Sequence, residues 1–209
     1  MSQHSLLDET TLETDVSSLP GPILLNIKSL KLSEEQFELL CRDNRDLRIE
    51  LTAQGELVIM SPTGMKTGWR NSKLTQWMAN WAEQDGTGIC CDSSTLFTLP
   101  NGAKRSPDVS WIRHDRVDAL TDEQKESFAP ICPDFVLELR SPSDTVAFVQ
   151  RKMDEYMANG ARLGWMIDPY TKRVFIYRPL QPVECLENPE TVSGEPLLSG
   201  FVLNVQEIW

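Results

Sequence analysis

Two acids stand where strands should be apolar. In "CPDFVLELRSPSD", residues 132–144, Glu138 interrupts a run that otherwise reads as a buried strand, and in "RSPDVSWIR" Asp108 opens a second one. Strand alternation sends Phe135, Leu137 and Leu139 to one face and Asp134, Val136, Glu138 and Arg140 to the other. Asp108 shares its face with Ser110 and Ile112. If the two strands are neighbours, Asp108 and Glu138 converge. Two ionised carboxylates in a partly apolar place repel each other and lose hydration. A divalent cation is the simplest compensation, and Mg²⁺ is commonly held by one or two carboxylates with water and substrate phosphate. Asp108 and Asp134 each follow a proline, where an acid often serves a turn, and for Asp134 that structural role is preferred. For Glu138 the rival is a structural salt bridge with Arg140 or Arg151.

A third member comes from the next helix, "SDTVAFVQRKMDEYMANG". Val149 and Met153 define its core stripe, and Lys152 lies roughly a quarter-turn from the stripe's centre. Alone it reads as a snorkelling lysine. Beside two metal-binding acids it could stabilise an attacking hydroxide or charge building on a phosphate.

The elements that must position these residues are legible in outline. "LSEEQFELLCRDN" reads as a helix with Ser33 as cap and Gln36 completing a capping box. "LRIELTAQGELVIMSP" is a hairpin turning at Gly55. In "NSKLTQWMANWAEQDG" Leu74, Trp77, Met78 and Trp81 recur at helical spacing, a core stripe rather than a base-stacking platform. Short strands follow in "GICCDSSTLFTLP" and "SPDVSWIR", then a short helix near "TDEQKESF". The Lys152 helix takes Ser143 or Asp144 as cap and ends before Gly160. "RLGWMIDPYTKRVFIYRP" is a second hairpin turning at "PYTK", and "LLSGFVLNVQEIW" closes with one more strand. The pattern is a mixed sheet flanked by helices, an α/β (α+β) architecture.

Bulk properties bound the rest. A chain of 209 residues, 40% of them hydrophobic, is expected to form a single domain over 29–209 behind a polar, flexible or loosely docked extension, 1–28. No apolar run approaches membrane-spanning length, and the N-terminus lacks the pattern of a secretory signal, so a soluble protein is expected. Five cysteines without CxxC spacing fit free thiols in a reducing cytoplasm, each expected to serve as a small buried hydrophobe. The net charge of −11 argues against broad, non-specific nucleic-acid binding, though a local field can differ from the total. His4 and His114 stand alone, the first in the tail and the second at a strand end. GxSxG, HExxH and P-loop patterns are missing, and a lysine that keeps both acids ionised suits a glycosidase poorly.

The ordered set "RIELTAQGELVIMSPTG", "RSPDVSWI", "CPDFVLELRSPSD", "KMDEYMANGARLGWMIDP" and "VFIYRP" resembles the Uma-type family of restriction-endonuclease relatives, within the PD-(D/E)XK nuclease superfamily. The resemblance runs from about "LSEEQFELL" to the C-terminus and implies a restriction-endonuclease-like core with additional hairpins. It implies a Mg²⁺-dependent endonuclease acting on DNA, with Mn²⁺ as a substitute ion and a homodimer by analogy. By it, Asp108 and Glu138 are the motif acids, and Glu50 in "RIEL" is an upstream acid that completes the metal site. Arg140 stands where the superfamily keeps its lysine, and Lys152 matches the lysine that this family carries on the following helix. Guanidinium is a poor proton acceptor, which ranks Lys152 above Arg140. The histidine that many relatives carry after "SPTG" has no counterpart in "MKTGWRN". The alternative is an inactive nuclease-fold protein serving as an interaction or regulatory module.

Overall fold

The computed structural model describes residues 21–209; residues 1–20, most of the expected extension, lie outside the described residues. Two sheets carry the fold. The smaller contains β1 (Ile23–Asn26), β2 (Arg48–Leu51), β3 (Glu56–Met60), β5 (Phe97–Thr98) and β6 (Lys104–Arg105), in the order β1-β3-β2-β6-β5. β2 and β3 are the expected hairpin, with Gly55 at a φ of 81°, a left-handed conformation that glycine adopts without steric cost. β1 pairs antiparallel with β3, Ile23 opposite Ile59, so the sheet reaches back into the stretch assigned to the extension. Its "ILLN" run is apolar enough to cover the outer edge of the hairpin. Helix α1 (Glu34–Asp43) has the expected Ser33–Gln36 capping box and buries Phe37.

The larger sheet holds β4 (Gly88–Asp92), β7 (Val109–Arg113), β8 (Phe135–Leu139), β9 (Leu163–Asp168), β10 (Arg173–Tyr177) and β11 (Glu184–Glu187), ordered β11-β10-β9-β8-β7-β4. β8 and β9 are parallel and the other pairs antiparallel. Parallel neighbours need a crossover, and α5 (Val146–Ala158), the lysine-bearing helix, supplies it. Its cap is Thr145, whose side chain accepts from Phe148 N, and neither Ser143 nor Asp144. Asp144 instead accepts from Ser141 N and Oγ, at 3.0 and 2.6 Å, and closes the "SPSD" turn.

The two faces of this sheet are covered differently. α2 (Met65–Asp85) packs Leu74, Met78 and Ala82 on one face, where Trp111, Phe135, Trp165 and Phe201 gather. It begins six residues before the helix expected from Asn71, running through Gly68 in "MKTGWR", and it ends at a left-handed Gly86. The C-terminal pair β12 (Thr191–Ser193) and β13 (Val202–Asn204), followed by a 3-10 turn at Val205–Glu207, completes this layer. The opposite face meets α5 through Ile112, Val136, Val149, Met153 and Met166. Short helices α3 (His114–Asp118) and α4 (Asp122–Glu126) link β7 to β8. β11 and β12 had no signal in the polar "ECLENPETVS". All five cysteines are free, but only Cys132 is buried as expected of them; Cys41, Cys90 and Cys91 are half-buried near the surface and Cys185 is exposed.

Candidate active site

The site forms where the two sheets meet. After β6 ends at Arg105, only Ser106 and Pro107 precede Asp108 at the head of β7. Ser106 ties the sheets together. Its N–H donates to Glu50 Oε1 at 2.9 Å, and its carbonyl accepts from Arg48 Nη2 at 2.6 Å and Lys152 Nζ at 3.1 Å. Asp108 Oδ2 accepts from Leu139 N at 2.8 Å, which pins the head of β7 to the end of β8. Its Oδ1 faces Asn71 Nδ2 at 3.3 Å and Arg48 Nη1 at 3.4 Å.

Behind this pair lies a buried chain of charges. Lys152 Nζ stands 2.8 Å from both Glu50 Oε1 and Glu138 Oε1 and bridges the two carboxylates. With the Ser106 carbonyl, its three protons meet three acceptors. Glu138 Oε1 also accepts from the Tyr156 hydroxyl at 3.0 Å, one helical turn along α5 from Lys152. Glu50 Oε2 receives Arg105 Nη1 at 3.1 Å, and Arg105 Nε reaches Glu155 at 2.5 Å. Glu50, Glu138, Lys152 and Tyr156 are all buried. Buried ions persist only when paired and hydrogen-bonded, and the three charged side chains here are both.

The two glutamates respond oppositely to the same lysine. Burial opposes ionisation of Glu50, but Lys152, Arg105 and Arg48 together outweigh it and hold the carboxyl at about 2. Glu138 is also pushed up by burial. Lys152 pulls it down, but the negative charges of Asp108 and Glu50 add to the burial effect, and it rests at about 7. Burial works against the Lys152 charge, yet Glu138 and Glu50 raise its pKa and keep it protonated.

A cleft of about 500 Å³ opens in front, lined by Arg48, Asn71, Asp108, Glu138 and Lys152 together with the Ser61–Gly64 segment. Asp108, Glu138 and Lys152 are thus gathered on one side of the sheet, as the alternation required. Glu50 lies behind Lys152. Arg140 points elsewhere: its Nη1 pairs with Asp168 at 3.1 Å, its Nε donates to the Asp144 carbonyl at 3.0 Å, and its guanidinium covers the Tyr170 ring. Asp134 has the structural role expected of it, accepting from Arg113 N and pairing with Arg116, both at 3.1 Å. His114 is exposed at the start of α3; His4 lies outside the described residues.

Sequence reasoning missed Arg48, Asn71, Arg105 and Tyr156. Arg48 and Tyr156 carried a signal, because Arg48 shares a strand face with Glu50 and Tyr156 follows Lys152 by four positions. Arg105 and Asn71 gave none, since their roles depend on how distant segments meet.

The donor set is one of hard oxygens, which suits Mg²⁺ or Mn²⁺ better than a soft metal. Among the described residues, no three His, Cys, Asp or Glu side chains form a group that could hold a metal ion by themselves. Glu50 is not among the residues that line the cleft, and the Lys152 ammonium bridges it to Glu138. A cation at the cleft would draw on Asp108 and Glu138 first. Asn71 Oδ1, buried without a partner on the residue that holds Asp108, is a further oxygen of the right kind.

A mixed sheet whose parallel pair is crossed by a lysine-bearing helix, with acids at the adjoining strand ends, is a restriction-endonuclease-like fold. The chain belongs to the Uma2 family, described as "Putative restriction endonuclease", which it matches over residues 34–206. It is also similar to a crystal structure from Anabaena variabilis ATCC 29413 described as "a putative nuclease belonging to DUF820". That likeness has a TM-score of 0.65 at 21% identity and covers 77% of this chain and 88% of the other, so it speaks for the fold alone. No curated protein matches the chain. Among the described residues, no helix is long and apolar enough to cross a membrane.

Proposed function

We propose that the protein is a metal-dependent endonuclease that hydrolyses DNA phosphodiester bonds, with Mg²⁺ as its ion and Mn²⁺ as a substitute. The observation that carries this reading is the convergence on one cleft of Asp108, Glu138 and a buried, protonated Lys152. Asp108 and Glu138 would hold the cation. When bound, it would supply Lewis acidity toward the phosphate and an acidified water as nucleophile.

The remaining chemistry belongs to the chain. Lys152 has no free lone pair, so it acts as fixed positive charge, stabilising the phosphorane-like charge that builds during attack. Glu50 serves by fixing Lys152; direct ligation by Glu50 would require Lys152 or Arg105 to move off it. Arg48, at the cleft wall, orients a phosphate oxygen. The domain is taken as 29–209 with β1 docked on it, acting in the cytoplasm. A homodimer would present two clefts to the two strands of a duplex.

One observation favours the inactive-module alternative. The cleft lines Asp46, Asp108, Glu138 and Asp144 against only Arg48 and Lys152, so without a cation it would repel DNA. Plasmid and single-stranded DNA incubated with Mg²⁺ or Mn²⁺ decide between them. Wild type should nick or linearise plasmid, while Asp108→Ala and Lys152→Ala should lose at least about two orders of magnitude in rate. Cleavage that survives both substitutions, or a wild type inert with either ion, sinks the nuclease reading.

A further inference from the structure

Asn71 lies on the stripe of α2 that runs Thr67, Asn71, Leu74, Met78, Ala82. The last three positions pack on the sheet, and the first two line the cleft. The helix is fastened there by Arg70, whose Nε donates to the Ile208 carbonyl at 2.6 Å. The side chain of Asn71 is therefore presented to the cleft by a long, anchored element.

Its orientation follows from its neighbour. Asp108 Oδ1 can only accept, so the Asn71 amide must turn its nitrogen toward it, and Nδ2 stands 3.3 Å away. The reversed amide would set oxygen against carboxylate oxygen. This orientation leaves Asn71 Oδ1 buried with no hydrogen-bond donor. Carbonyl oxygens buried without a partner are uncommon, and each calls for an explanation such as a bound ion or water. Here the orphan belongs to a residue that lines the same cleft as Asp108 and Glu138, two carboxylates that themselves call for positive charge.

We propose that Asn71 Oδ1 is the third protein ligand of the cation held by Asp108 and Glu138; the proposal rests on the metal-dependent reading above. Asn71 then has two tasks. Its nitrogen steadies Asp108, and its oxygen enters the coordination sphere as a neutral hard donor. The neutral donor makes chemical sense beside Asp108 and Glu138, since a third acid there would add repulsion to a cleft already rich in carboxylates.

Eu³⁺, a hard-oxygen ion whose luminescence lifetimes in H₂O and D₂O count its water ligands, provides a test on the full chain without catalysis. Wild type, Asn71→Ala and Asn71→Asp are titrated, with circular dichroism and thermal melts confirming the fold; alanine favours the helix, so α2 should persist. Asn71→Ala should bind Eu³⁺ at least about tenfold more weakly. Its bound ion should carry one more water than in wild type. Asn71→Asp, which keeps an oxygen at that place, should restore both affinity and hydration number, while melting lower than wild type when ion-free.

Unchanged affinity and hydration in Asn71→Ala overturn the assignment while leaving the metal reading intact. Weaker binding at an unchanged hydration number overturns it too, because Asn71 would then act only through Asp108. Should Asn71→Ala bind too weakly for a lifetime, Asn71→Asp decides: recovery of binding at wild-type hydration supports ligation, and failure overturns it. A wild type that takes up no Eu³⁺ removes the metal reading and this assignment together.

Discussion

The two faces of the six-stranded sheet solve the same packing problem with opposite materials. Under α2 and the C-terminal pair, Phe135 meets Trp165 edge-on at 5.1 Å, and Trp165 stacks on Phe201 at 5.8 Å. Under α5, part of the layer is apolar, but Glu138 there meets Lys152 and the Tyr156 hydroxyl, with Glu50 and Arg105 of the smaller sheet joined to them. The first face is held by area removed from water, which is non-directional and tolerant of small shifts. The second is held by charges that have no water to fall back on, so each depends on its neighbours. A chain that needed only stability would have used the first solution twice. The costly second one coincides with the proposed active site.

The largest expected effects set the faces side by side. Trp165→Ala should destabilise by about 3–5 kcal/mol through lost burial and a cavity. Lys152→Met should cost a similar amount, about 3–5 kcal/mol, because it strands two carboxylates in the interior. Equilibrium urea unfolding measures both, and pH tells them apart. The Trp165→Ala loss should be the same at acid and neutral pH. The Lys152→Met loss should shrink at low pH, where Glu138 takes up a proton. A pH-independent Lys152→Met would mean that the lysine acts there as a spacer rather than a counter-ion.

A second effect separates the two glutamates within the charged face. Glu50 is held near 2, below its ordinary 4.5, so its stabilising share is complete above 4.5 and is lost as pH falls toward 2. Glu138 rests at about 7, above its ordinary 4.5, so the folded state binds its proton more tightly than the unfolded chain does. Its share is present below 4.5 and is lost as pH rises to about 7. Metal-free protein should therefore lose stability from about pH 5 to 7, with a slope that approaches 1.4 kcal/mol per pH unit from this one group. Glu138→Gln should flatten that slope, and Glu50→Gln should keep it over a narrower pH range, because the Glu50 charge supplies part of the upward push on Glu138. If Glu50→Gln removes it instead, the assignment of the titrating group is reversed.

The contrast between the faces also explains what could be read from the chain alone. Leu74, Met78, Val149 and Met153 announced their helices through period, and the alternation of β8 put Glu138 on the α5 face. Asp108, Glu138 and Lys152 could be joined because two strand faces and one helix flank already pointed the same way. The start of α2 escaped notice because "MKTGWR" is polar and amphipathic signals begin later. Arg105 and Asn71 escaped for a different reason. Arg105 reaches Glu50 across 55 positions, and Asn71 reaches Asp108 across 37, so only the assembled fold brings them together. Asn71 lies inside "MKTGWRN", the stretch in which many relatives carry a histidine and this chain does not.

The smallest effect tests whether the charged face is coupled residue by residue. Tyr156 belongs to both materials: its ring packs with Val149 and Met153, while its hydroxyl donates to Glu138 Oε1. Tyr156→Phe keeps the packing and removes only the hydrogen bond, so stability should fall by about 0.5–1.5 kcal/mol. The same substitution made in a Glu138→Gln background should cost less, because the amide is a weaker acceptor than a carboxylate. A double-mutant cycle read by urea unfolding gives the coupling directly. An equal loss in both backgrounds would mean that the hydroxyl does not report on Glu138. Tyr156 would then belong with the aromatics of the opposite face, held by area alone.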